Sequence, residues 1–322
     1  MPDASAPHDA GTDVSIRTDV PVTHDVQAIP VDVQSIPDAC GSTGLTPVTD
    51  IMVSPPFDSV YHVYDIGSVP GLPSTRYGGC LVDSHDPNVL YIGVDSEAAN
   101  GTIWAVNVRR DGCGHIVGYN GVARHIADTP YVDANLFYGQ GGLVLYTEWP
   151  VNHFAELRPG ATMPALDNDL AMLGLHDSPG GAAFVPPGFG GAGELRMVGW
   201  PSNGWYHVPF TIDATGLYQL ATATMTVTLP NGSGGFAYVP AGSALFARPS
   251  VVVAEWSNSV SAFEVDASGD PIITTRRPFL TNLSLAWGAY FEPVTGDYMF
   301  PTWGSNRLII VQGFVAPPPP PG

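Results

Sequence analysis

Four side chains stand where acid, base or metal chemistry is possible: Glu148, Glu255, His176 and Asp177. A glutamate works as a general acid or base when its surroundings hold its pKa near neutrality, and an imidazole beside a carboxylate serves as an oriented base or a metal ligand. A second set suits a polar ligand that carries a ring. Trp149, Trp200, Trp256, Trp287 and Trp303 offer flat apolar faces, while His153 and Asn258 offer hydrogen bonds. The competing reading is structural: a residue that recurs at one place in every copy of a repeat fills the same gap in each, and His176 and Asp177, as loop neighbours, also read as turn residues. Glu148, Glu255, His153 and the His176–Asp177 pair break the repeat and are the stronger site candidates.

The elements that must position these groups are announced by a repeated phrase. Gly180-Gly181-Ala182-Ala183-Phe184-Val185-Pro186 recurs as Gly234-Gly235-Phe236-Ala237-Tyr238-Val239-Pro240 and, more loosely, from Trp287 to Pro293. The second glycines are roughly 53 residues apart, the period of a supersecondary unit and not of a helix. β-branched or aromatic runs follow each phrase and end in tryptophan, at Trp149, Trp200, Trp256 and Trp303. A polar turn holding Asn152, Asn203, Asn258 or Asn306 then leads into another strand-like run. Divergent copies open at Gly78-Gly79 and near Asn135, which makes five openings in all.

The expected fold is therefore all-β, a single five-bladed β-propeller. The last copy has room for only three strands, so the early run Val60–Ile66 is expected to complete that blade and close the ring. A sixth sheet hidden between His115 and Val132 is the alternative. In such a ring the loop entering each inner strand and the loop between the second and third strands share one face, and all the candidate site residues fall on those loops.

Composition agrees and sets limits. The 322 residues include 37 Gly and 32 Pro, as a domain full of tight turns requires, and no apolar run approaches a membrane span. The formal charge is −19 and all 11 basic side chains are arginine, so there is no basic face for nucleic acid and no lysine for Schiff-base or P-loop chemistry. Residues 1–45 are acidic, Pro-rich and without aromatics, which reads as a disordered stalk; residues 46–316 read as the propeller and 317–322 as a stiff polyproline tail. Cys80 and Cys113 both fall in the first blade and are one candidate disulfide, Cys40 and Cys113 the other, with a free buried thiol as a further alternative. Acidic turns at Asp83–Asp86, Asp266–Asp270 and Glu292–Asp297 have the oxygen density of calcium loops but lack the EF-hand spacing. No metal and no cofactor are expected.

The Gly-Gly-x-x-Phe/Tyr-x-Pro openings, with turns such as Asp86-Pro87-Asn88 and Pro293–Asp297, resemble those of secreted bacterial propellers of the NHL or streptogramin-lyase-like kind over about residues 57–314. The stalk resembles those that follow the anchored cysteine of bacterial lipoproteins, although neither a signal peptide nor a lipobox precedes it in this sequence. A lyase's catalytic His and Glu find no matching motif, and five copies depart from the six or seven expected, so the resemblance implies a fold and no activity. The expectation is a monomeric binding module, secreted or at the cell surface, whose top face takes a glycan, another small polar ligand or a surface protein. The alternative is a hydrolase or lyase for a polysaccharide or lactone-like substrate, with Glu148 or Glu255 as acid or base and a second carboxylate within about 5 to 10 Å.

Overall fold

The computed structural model describes residues 44–318 apart from Ser257 and Ser284. All but the last two residues of the expected stalk, and the end of the polyproline tail, lie outside the described residues. The strands form a ring of five blades. From the axis outward, blade 1 is built from Tyr77–Val82, Val89–Val94 and Thr102–Arg110; blade 2 from Val132–Tyr138, Val144–Glu148, His153–Leu157 and Leu166–Asp169. Blade 3 comprises Pro179–Phe184, Leu195–Gly199, Gly204–Val208 and Thr224–Thr228, with an added hairpin of Phe210–Ile212 and Tyr218–Leu220. Blade 4 runs Ser233–Tyr238, Ser250–Glu255, Ser259–Glu264 and Arg277–Thr281, extended at its outer edge by Met52–Val53.

Blade 5 has three strands of its own, Tyr290–Phe291, Tyr298–Pro301 and Leu308–Gln312, and borrows its fourth. His62–Asp65 pairs antiparallel with Leu308–Gln312, His62 opposite Gln312, so the early strand closes the ring as the sequence predicts. The region between His115 and Val132 is not a sixth sheet. Ile116–Tyr119 and Arg124–Asp128 both pair with the long third strand of blade 1, at Arg109 opposite Gly118 and Trp104 opposite His125.

The middle strands are apolar over most of their length because each faces two neighbours. Val251 and Val253 pack toward blade 3 against Val198 and Trp205, while Val252 and Ala254 pack toward blade 5 against Phe300 and Val311. The same alternation places Leu308 and Ile310 against blade 1 and Ile309 and Val311 against blade 4. Period-2 side-chain direction thus fills the gaps between blades in place of a single central core.

The glycine pairs explain the centre. A Cβ on Gly79 would lie 2.5 Å from the Leu136 nitrogen, one on Gly181 2.3 Å from Asn135 Oδ1, and one on Gly235 2.8 Å from the Ala289 nitrogen. At these positions the inner strands approach too closely for any side chain. Asn135 fills the remaining space: its amide donates to the carbonyls of Phe236 (3.3 Å) and Ala289 (2.9 Å), and its Oδ1 accepts from the Phe236 N–H (3.1 Å). One side chain of blade 2 therefore ties together blades 4 and 5.

Cys113 is disulfide-bonded and Cys80 is a free, fully buried thiol. This corrects the Cys80–Cys113 pairing: Cys80 lies on an inner strand whose side chain faces the blade 5 interface, packed with Met299 and Ile310. The other candidate partner, Cys40, lies outside the described residues.

Candidate functional site

Each top-face turn begins with backbone requirements. Asn152, Asn203 and Asn306 hold φ near +60°, a conformation that asparagine tolerates better than most residues, and Asn152 Nδ2 also donates to the Leu175 carbonyl at 2.8 Å. The recurrent asparagines are turn residues in these blades, while Asn258 is exposed.

Four of the tryptophans gather over blades 3 to 5. Trp256 is the hub, with ring centroids 6.2 Å from Trp200, 4.8 Å from Trp287 and 5.7 Å from Trp303, all edge-to-face. Trp200 lies over Gly232, where a Cβ would come within 1.8 Å of the ring, and Trp287 is buried. The rings pack on one another more than they open toward solvent, and Trp149 joins none of these pairs.

The carboxylates separate by environment. Glu255 is buried, yet it accepts two hydrogen bonds from the Arg276 guanidinium (2.9 and 2.7 Å) and one from the Ser259 hydroxyl. Burial works against its charge, but these bonds and the arginine's charge hold its carboxyl below the usual range. An ionised, fully engaged carboxylate is a poor proton donor, so Glu255 reads as half of a structural ion pair. Among the described residues no hydrogen bond or ion pair joins the exposed His176 to Asp177.

Blade 2 brings together what the other blades keep apart. Glu148 ends the second strand and His153 begins the third, directly opposite it, while Asp167 comes from the outer strand. His153 Nδ1 lies 2.9 Å from Asp167 Oδ1 and 3.9 Å from Glu148 Oε2. The three side chains line a cavity of about 450 Å³ walled by Tyr131, Val151 and Pro164. Glu148 is only 3% exposed although it faces this cavity. Burial, and then the charge of Asp167, push its carboxyl up to about 8, so it is largely protonated at neutral pH and able to donate a hydrogen bond. The Tyr146 hydroxyl, buried two residues earlier on the same strand, hydrogen-bonds to this carboxyl and pulls it only partly back.

Donor atoms of Glu148, His153 and Asp167 all lie within 4.8 Å of one another, enough for three positions around a divalent cation. Burial works against this use, because it favours the neutral carboxyl over the carboxylate that a cation requires. The acidic turns on the opposite face spend their oxygens locally. Asp266 Oδ1 accepts the Ser268 and Asp270 N–H groups, Asp270 accepts from Arg196 at 2.7 Å, and Glu292 accepts from Arg110 at 2.7 Å and from the Val294 and Thr295 N–H groups.

No family model and no curated protein matches this chain. Solved structures do resemble it. A gluconolactonase from Xanthomonas campestris is 12% identical, with 84% of this chain and 96% of that one covered and a TM-score of 0.46. The glutaminyl cyclase of Myxococcus xanthus is 10% identical, covering 79% of this chain and 97% of the other at a TM-score of 0.45. An auxiliary nutrient binding protein of Bacteroides ovatus is 9% identical at a TM-score of 0.41, with 78% of this chain and 76% of that one covered. Nothing about ligand or reaction is carried over at these values; the propeller rests on the strand order given above.

Asp167 and Tyr131 are the site residues that sequence reasoning passes over. Leu166–Asp169 reads Leu-Asp-Asn-Asp, too polar to mark itself as a strand, and only its register against His153–Glu156 brings Asp167 to the imidazole. Near the axis, Glu97 and Asp133 are further carboxyls held toward the neutral form, both chiefly by burial: Glu97 is pushed up to about 7, and Asp133, fully buried, lies well above the carboxylate range.

Proposed function

We propose that this protein is an exported binding module whose ligand pocket is the blade 2 cavity, taking a small, hydroxyl-rich molecule such as a sugar or sugar acid. The observation that carries the reading is the juxtaposition of a buried, protonated Glu148 with a His153–Asp167 pair in one open cavity. A neutral carboxyl donates to a ligand oxygen while the Asp167-bound imidazole and carboxylate accept from hydroxyls, and the apolar walls cover the ligand's carbon face. Export is supported by the disulfide at Cys113, which suits an oxidising compartment. The tryptophan cluster then contributes an aromatic margin and no stacking platform.

A second reading is favoured by one feature of the same pocket. Glu148 and Asp167 present oxygens within 4.8 Å, and a carboxyl pair at or just under about 5 Å suits an acid working with a nucleophile or base on a glycoside or lactone. Thermal-shift and turnover assays on a panel of sugars, aldonolactones and oligosaccharides separate the two. Glu148→Gln keeps a neutral donor, so a binding module retains affinity within a few-fold and no panel member is converted. An enzyme keeps binding but loses turnover in that variant. If no member stabilises the wild type, both readings fall.

A further inference from the structure

The opposite, bottom face carries a second cavity of about 550 Å³ between blades 2 and 3. Its walls are aromatic: Tyr138 from blade 2, Phe184 from blade 3, and Phe210 and Tyr218 from the added hairpin. Phe184 and Phe210 meet edge-to-face at 5.6 Å, while Tyr218 packs in tilted contact with Phe210 at 5.0 Å and with Phe184 at 5.5 Å. Tyr218 is locked in place because its hydroxyl accepts the Gln140 N–H at 2.7 Å and a Cβ on Gly139 would sit 2.9 Å from its ring. Two residues that complete the wall, Pro317 and Pro318, come from the end of the chain.

The route of that end is defined. Phe314 is buried in the core between blades 4 and 5, with its ring 4.4 Å from Tyr61 and 4.9 Å from Phe291. Val315 N–H then donates to Ser243 Oγ of blade 4 (3.4 Å), and the Val315 carbonyl oxygen lies 2.1 Å from where a Gly296 Cβ would stand in blade 5. From that anchor the chain leaves blades 4 and 5 and reaches the bottom loops of blades 2 and 3, where the prolines meet the aromatic walls.

We propose that this groove is a polyproline-recognition site and that its occupant is the chain's own C-terminal proline run, beginning at Pro317. Proline-rich segments favour an extended left-handed helix that needs no internal hydrogen bonds and loses little entropy on docking, and aromatic-lined grooves are the usual receptors for it. The aromatic walls provide such a surface, and Pro186 and Pro187 on its blade 3 side add stiffness. Tethering through Phe314 holds the run at an effective concentration in the millimolar range, so it competes well against any free segment.

The test uses a fluorescent synthetic peptide, Ala-Pro-Pro-Pro-Pro-Pro, titrated by anisotropy into the full chain and into full-length P317G/P318G, with near-ultraviolet circular dichroism to verify the fold. The proposal expects saturable binding to the variant at least about tenfold tighter than to wild type. Adding Ile212→Glu, a change at an exposed position on the groove's edge, should abolish that binding without unfolding the protein. Equal binding to wild type and variant would mean that the groove serves prolines of another molecule, and the cis occupancy would be overturned. Absence of binding to the folded variant, or indifference to Ile212→Glu, would overturn the recognition site itself.

Discussion

At the scale of single residues, the same side-chain type does opposite work according to what surrounds it. Glu148 and Glu255 end the equivalent second strands of blades 2 and 4, yet Arg276 keeps Glu255 ionised while burial, with the charge of Asp167, protonates Glu148. Glu255→Gln should lower stability by about 1–3 kcal/mol by leaving the guanidinium under-paired, and should leave ligand affinity unchanged; paired denaturation and binding titrations check both halves. Asn135 was legible as a polar residue at the start of an inner strand, but not as the plug that bridges blades 4 and 5. Asn135→Ala removes three hydrogen bonds from a sealed axis, and urea unfolding should show a loss of about 3 kcal/mol.

At the scale of elements, the repeat phrase carried most of the architecture, because the Gly-Gly pair and the apolar middle strands are imposed by close inner strands and two-sided burial. The closing strand was legible for a related reason: the fifth copy is one strand short, and only Val60–Ile66 had the pattern to fill it. Val63 sits in that strand opposite Val311 and is buried between blades 4 and 5. Val63→Asp should therefore abolish cooperative unfolding or cut stability by more than about 3 kcal/mol, readable by differential scanning calorimetry. Pairing across outer strands was not legible. The contact of His153 with Asp167 and the attachment of two outer strands to Thr102–Arg110 both depend on register, which the period-2 pattern of a short polar strand leaves free. The tryptophans marked strand ends correctly, while their mutual edge-to-face packing depends on blade-to-blade spacing that no local phrase encodes.

At the scale of the whole molecule, the chain couples a strongly acidic balance to carboxyls that folding holds toward the neutral form. Glu97 and Glu156 are both pushed up to about 7, chiefly by burial, with the Tyr218 N–H pulling Glu156 partly back. Such groups bind protons more tightly in the native state than in the unfolded chain, where their pKa is near 4.5. Their contribution to stability is fully present below about pH 4.5 and is lost as pH rises through about 7. The opposing groups, Asp50, Asp83 and Glu255, have lowered values, so the stability they add is already present above their unfolded range and is lost only toward acid. Between these limits, Tm should fall by roughly 5 °C from pH 5.5 to pH 8.5, against the flat profile expected of a protein with unperturbed carboxyls.

On the proposed function, ligand binds in the blade 2 cavity and not on the tryptophan cluster. Calorimetric titration of the first stabilising sugar or lactone into Glu148→Ala and Trp256→Ala decides between them. Glu148→Ala should lose at least about tenfold in affinity, worth about 1.4 kcal/mol, while Trp256→Ala unfolds at a lower temperature but binds as wild type does. Affinity that survives Glu148→Ala and vanishes in a folded Trp256→Ala would contradict it.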